Sequence, residues 1–193
     1  AWAENGGSAR YLVKRKCLAL NLMYVLGLLQ QNLQTMAAHS IYKVQRLPVS
    51  LDQAWEFFSN PANLQAITPP DMGFKVISKY HGPLMYAGQI IEYKVKPLLG
   101  IPIYWMTEIT QVKDKQYFID EQRFGPYSLW HHQHHFKAIP GGVEMTDIIH
   151  YKNPLGFIGR IANSLFIKKK LEGIFQYRFQ KAEELFGAWK GWY

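Results

Sequence analysis

Between residues 74 and 152 the chain is punctuated so regularly that few folds remain open to it. Six stretches rich in alternating, β-branched and aromatic residues follow one another there: Phe74–Lys79, Gly88–Lys96, Ile103–Val112, Gln116–Phe124, Tyr127–Ile139 and Val143–Tyr151. Each reads as a strand. Turn-forming links separate them, among them Pro97–Pro102, Lys113-Asp114-Lys115, Gly125-Pro126 and Pro140-Gly141-Gly142. Links this short cannot carry a crossover, so neighbouring strands must run antiparallel. After Asn153-Pro154 the period changes. Leu171, Ile174, Phe175, Phe179, Ala182, Leu185 and Phe186 recur at helical spacing, which predicts one long helix over about 155–186 with an apolar face.

Ahead of this run, Ile41–Leu47 suits a further half-buried strand, broken by Pro48. Ser50 or Asp52 can cap a helix carrying Ala54, Trp55, Phe57 and Phe58. Asn60-Pro61 resets the backbone, because a residue before proline avoids the helical region. Ala62–Ile67 then reads as a second short helix, ended by Thr68-Pro69-Pro70-Asp71. The predicted fold is therefore α+β: a strand, two short helices, about six antiparallel strands and a long C-terminal helix. A curved sheet must cover its concave face, and a helix with an apolar stripe can do so. A strongly bent sheet cannot meet a straight helix along its whole length. A cavity walled by the inward side chains of each strand is the expected result, and an aromatic content of 15% suits such walls.

Composition narrows the function classes. With 48% hydrophobic residues the chain can build a real core. Its one cysteine, Cys17, excludes an intramolecular disulfide and a four-cysteine zinc site. The net charge of +8 is spread between Lys14-Arg15-Lys16, Lys168-Lys169-Lys170 and single positions, without the dense basic face of a nucleic-acid binder. No GxSxG, GxGxxG or Walker loop is present, so no nucleophile elbow or nucleotide-phosphate cradle is expected.

Residues 1–40 differ from the rest. A basic cluster precedes the apolar run Cys17–Leu29, which is too short to span a membrane comfortably and is interrupted by Asn21 and Gly27. It can be a signal or surface anchor, an extra amphipathic helix, or non-native sequence upstream of Met36; the last is the preferred reading. The domain itself is expected over 41–187, with 188–193 as a tail. The expected location is the cytoplasm, unless residues 1–40 are native and direct secretion or membrane association.

The polar residues of the last strands form the chain's oddest cluster. His131, His132, His134 and His135 share one strand, with His150 in the next. Strand alternation puts Trp130, His132, His134 and Phe136 on one face, and His131, Gln133 and His135 on the other. Phe118, Asp120, Gln122 and Phe124 share a face in the preceding strand, as do Val143, Met145, Asp147 and Ile149 in the following one. Large aromatics favour the interior, so Asp120, Gln122, Trp130, His132, His134, Phe136 and Asp147 are assigned to the inner wall. His131 and His135 are expected to face solvent. Carboxylates and imidazoles enclosed together must satisfy one another, because burying either alone is costly. Asp120, His132, His134 and Asp147 can serve as a structural network, as an anchor for the polar end of a ligand, or as acid–base groups. His-x-His with a neighbouring Asp also has metal-ligand character. In a chain with seven histidines that spacing arises readily by chance, and the expectation is no metal and no cofactor. The apolar loop residues Leu84, Met85, Tyr86, Leu98, Leu99 and Ile101 read either as ordinary loop packing or as cavity lips that gate entry and touch a membrane transiently.

Several segments resemble a known family. The run FxDEQxxGPYxxWxHxH over Phe118–His134, the MTDxxxY of Met145–Tyr151 with the following Asn153-Pro154-Leu155-Gly156, and FFSNPANLQAITPP over residues 57–70 are similar to ligand-binding SRPBCC proteins of the START/Bet v 1-like superfamily, often loosely labelled cell division inhibitors. The resemblance covers about residues 41–187. It implies a helix-grip fold with a deep cavity for a hydrophobic or amphipathic small molecule, and no fixed cofactor. With it, the expected ligand contacts are Trp55, Tyr93, Trp105, Gln122, Trp130, His132, His134, Phe136 and Phe175. The alternative is a polyketide cyclase or aromatase in which Asp120, His132, His134 and Asp147 do acid–base work. Nothing in the residues supports the division-inhibitor label.

Overall fold

The computed structural model describes residues 23, 27, 38–79, 82–96, 100–154 and 166–191. The chain divides into two units, 1–37 and 38–193, and the second carries the sheet and the long helix. The apolar run at Cys17–Leu29, apart from Met23 and Gly27, lies outside the described residues, as do Leu98, Leu99 and the first turns expected of the long helix.

Among the described residues, seven strands form one antiparallel sheet: β1 (His39–Leu47), β2 (Lys75–Val76), β3 (Gln89–Val95), β4 (Ile103–Lys113), β5 (Tyr117–Phe124), β6 (Leu129–Ile139) and β7 (Gly142–Lys152). Their order across the sheet is β1-β7-β6-β5-β4-β3-β2. Every link from β3 to β7 joins direct neighbours, as the short turns require. β1, separated from the others in sequence by three short helical segments, closes onto the last strand, with Ile41 opposite Ile149 and Leu47 opposite Val143. Helix α1 (Leu51–Phe58) starts at a complete capping box. The Ser50 side chain accepts from the Gln53 backbone, and the Gln53 side chain accepts from the Ser50 N–H. Helix α2 (Lys168–Phe186) follows β7.

Two predicted elements are shorter than expected. The strand expected over 74–79 is paired only at Lys75–Val76, because Ile77 and Ser78 both donate to the single carbonyl of Glu92 and the ladder ends there. The helix expected over 62–67 is a 3₁₀ turn, Pro61–Asn63, capped by the Asn60 side chain and followed by turns. Proline at its first position sets φ but cannot extend a helical run backwards.

Two packed clusters hold the sheet's concave face. At one end Leu47, Ala54, Trp55, Phe58, Phe136 and Ala182 pack together, joining α1, the sheet and the C-terminal half of α2. At the other, Ile41, Ile149, Tyr151, Leu171 and Phe175 join β1, β7 and the N-terminal half of α2. Gln45 is buried on β1 and donates to the Phe179 carbonyl at 2.9 Å, which ties the helix to the sheet between the clusters. Beyond α2 the chain turns back on the β6–β7 hairpin. A Cβ built on Gly142 would lie 2.1 Å from the Leu47 carbonyl oxygen and 2.7 Å from the Trp189 ring.

Candidate functional site

A cavity of about 260 Å³ lies between the sheet and α2. One wall is aromatic. Trp105 stacks on Tyr93 with ring centroids 5.9 Å apart and meets Trp130 edge-on at 5.5 Å, and Tyr127 lies 4.9 Å from Trp130. The aliphatic part of the lining includes Ile67, Met72, Met85, Ile91 and Ile109. Thr107 and Tyr93 hydrogen-bond to each other through their hydroxyls. Burial, reinforced by the charge of Asp120, pushes the Tyr93 phenol up, so it stays neutral.

The polar end is a ring of two carboxylates and two imidazoles supplied by three adjacent strands. Register sets it: on β6, His132 and His134 lie opposite Asp120 and Phe118 of β5 and Ile149 and Asp147 of β7. Asp147 Oδ1 accepts from His132 Nε2 at 2.9 Å and His134 Nδ1 at 2.8 Å. Asp120 Oδ2 lies 3.0 Å from His134 Nε2 and 3.5 Å from His132 Nδ1. The two imidazole centroids are 3.7 Å apart, and Phe118 stacks on His134 at 4.2 Å.

These contacts sort the charges. Burial lowers the basicity of His132, and the neighbouring His134 charge lowers it further, against the bond to Asp147. Asp147 can only accept as a carboxylate, so His132 Nε2 is the donor in their contact. Burial alone would also lower His134, but hydrogen bonds to Asp120 and Asp147 outweigh it and raise its affinity for a proton. Both carboxylates are held below their ordinary range. Burial opposes this, and the hydrogen bonds and charges of the two histidines overcome it; for Asp120 the Arg178 charge adds to the effect.

The structure brings together Tyr93, Trp105, Asp120, Trp130, His132, His134 and Phe175 at the cavity. Asp147 stands behind the two histidines rather than at the wall. Three expected contacts are not at the wall. Trp55 and Phe136 fill the α1 end of the core, their rings packed edge to face at 5.3 Å. Gln122 is turned to the following loop, where its side chain bonds the backbone of Tyr127 at both ends. The β4–β5 register explains this. Thr107 faces Gln122 and Met106 faces Phe124, so Arg123 is an extra residue in β5. That bulge ends the inward alternation. Phe124, expected inside with Phe118, is 62% exposed. His131 and His135 lie on the outer face in a chain of side-chain bonds running from Glu121 through His131 and Gln133 to His135.

One residue at the site escaped sequence reasoning. Arg178 of α2 lines the cavity, and its guanidinium lies 5.5 Å from the Phe175 ring centre. Its position was readable: with Leu171, Phe175 and Ala182 it falls on one helical face, so it is a charge set in an apolar stripe. Among the described residues its buried Nε has no hydrogen-bond partner, and neither has the buried indole Nε1 of Trp105.

No protein-family model matches the chain, and no curated protein matches it in sequence. Solved structures do match in shape. Ara h 8.0201, a Bet v 1 homologue, superposes with a TM-score of 0.50 at 14% identity, over 77% of this chain and 99% of its own. The fold is the Bet v 1-like helix grip. Two bacterial structures are also similar. The CV1439 protein of Chromobacterium violaceum matches with a TM-score of 0.59 at 12% identity, covering 77% of this chain and 97% of that one. A protein from Arthrobacter aurescens matches with a TM-score of 0.59 at 10% identity, covering 78% and 92%. Among the described residues, no helix is long and apolar enough to cross a membrane.

Proposed function

We propose that the helix-grip domain binds a small amphipathic molecule in its cavity, as a carrier, sensor or sequestering protein, and that the molecule's polar end bears oxygen acceptors. The observation that carries this reading is a mismatch inside the cavity. Its walls are mostly aliphatic and aromatic, yet two buried N–H donors, on Trp105 and Arg178, lack partners among the described residues. A buried donor left unsatisfied costs about 1–3 kcal/mol, so a ligand oxygen in reach of either gains that much over a plain hydrocarbon. The volume lies near the lower end of small-molecule pockets, which favours a compact ligand. Exchange is assigned to the loops around Met85 and Ile101. Tyr86 and Ile101 are exposed there and would meet a membrane surface transiently.

The test is a titration with an anionic anilinonaphthalene sulfonate dye, read by fluorescence. One saturable site per chain is expected. Arg178→Met should weaken it by about tenfold, the value of one charge-assisted hydrogen bond. Thr107→Trp, which places an indole in the cavity, should abolish it. Dye binding that neither substitution changes, in variants that remain folded by circular dichroism, would overturn the reading.

A further inference from the structure

The structure assigns a divalent-metal site to Asp120, His132 and His134, with Asp147 as the residue that fixes both imidazoles. One potential ligand atom from each of the three lies within 4.8 Å of the other two. All three residues line the cavity.

Four imidazole nitrogens of this cluster face oxygens of Asp120 and Asp147, with the two ring centroids 3.7 Å apart. The two that face Asp120, His132 Nδ1 and His134 Nε2, belong to different rings and converge on one oxygen, so an ion can sit among the three donor atoms.

The distances suit an ion. Donors about 2.0–2.2 Å from a zinc-like centre stand roughly 3.0–3.5 Å from one another. Asp120 Oδ2 stands 3.0 Å from His134 Nε2 and 3.5 Å from His132 Nδ1. The other nitrogen of each ring donates to Asp147 Oδ1, at 2.9 and 2.8 Å. A carboxylate behind a histidine is the usual support of a metal-bound imidazole, because it fixes the tautomer and the ring orientation. Here one carboxylate serves both rings. Two imidazoles and one carboxylate favour zinc, iron(II) or cobalt(II) over magnesium or calcium. Asp120 and Asp147 balance a divalent ion, and Arg178 adds one positive charge beside it. An anionic oxygen donor entering from the cavity would complete the site.

The experiment uses the untagged full chain, stripped with chelator and titrated with cobalt(II) and zinc(II) by calorimetry and visible absorption. One equivalent per chain is expected, with cobalt ligand-field bands. Asp120→Ala and His134→Ala should each remove the stoichiometric site, and Asp147→Asn should weaken it 10–100-fold. His131→Gln with His135→Gln, on the outer face, should leave it intact. Should the inner variants fail to fold, proton NMR of the wild-type chain decides: zinc should shift the His132 and His134 ring signals and leave those of His131 and His135 unmoved. Absence of stoichiometric binding, binding lost in the outer-face variant, or zinc shifts confined to the outer histidines would each overturn the assignment.

Discussion

At the residue scale, the chain places four ionisable side chains on the concave face of the sheet and makes them depend on one another. Each carboxylate of the ring accepts contacts from both histidines, and the full set leaves little of any member exposed. Removing Asp147 would strip two hydrogen bonds and the counter-charge of His134 in one step. Asp147→Ala should therefore lower the stability of the metal-free protein by about 3–5 kcal/mol in urea unfolding at neutral pH. A loss below about 1 kcal/mol would mean that the network is not a structural unit. The exposed pair Arg46–Glu144, whose Arg side chain is 54% exposed, gives the contrast: its removal should change stability by no more than about 1 kcal/mol.

Most of this ring was legible in the sequence, because period-two alternation on β6 and β7 is unbroken and assigns faces by arithmetic. Legibility fails where the period is interrupted. The extra residue at Arg123 turned Gln122 and Phe124 away from the wall, and no signal in the sequence marks a bulge there. On β1 the faces alternate regularly, but polarity does not follow them. Tyr42 and Val44 are exposed while Gln45 is buried, because Gln45 serves the Phe179 carbonyl of α2. A contact between residues so far apart in sequence cannot be seen in a local pattern. Arg178 was legible in principle, as a cation set among the inward positions of the C-terminal stripe.

At the scale of elements, the sheet and α2 are joined at both ends and bridged between them by Gln45 on β1, and the cavity lies alongside. The α1 cluster closes one end with Trp55, Phe58 and Phe136, and this explains why two expected ligand contacts are core residues instead. The β6–β7 hairpin is met at Gly142 by the Leu47 carbonyl and by the Trp189 ring. Gly142→Ala tests this. Its Cβ would meet a backbone carbonyl that cannot move without breaking the β1–β7 register. The expected cost is about 1–3 kcal/mol, seen as a lower midpoint in thermal unfolding. An unchanged midpoint would show that the hairpin has slack there.

At the scale of the whole molecule, the order of elements, the antiparallel topology and the long capping helix followed from turn spacing and from the change of period after Asn153. The cavity follows from the same geometry, since a bent sheet held to a straight helix at two ends leaves space between them. Patterns alone could not say what fills that space. The unmatched donors of Trp105 and Arg178 favour an amphipathic molecule with an oxygen-bearing end.

The most direct test is native mass spectrometry of the purified untagged chain, with extraction and identification of the small molecule that co-purifies. One reproducible organic adduct per chain is expected, apolar over most of its length, with a carboxylate or other oxygen group at one end, and it should be lost in the Thr107→Trp chain. A folded chain that carries no adduct, and takes up none when incubated with short apolar carboxylic acids, would contradict it.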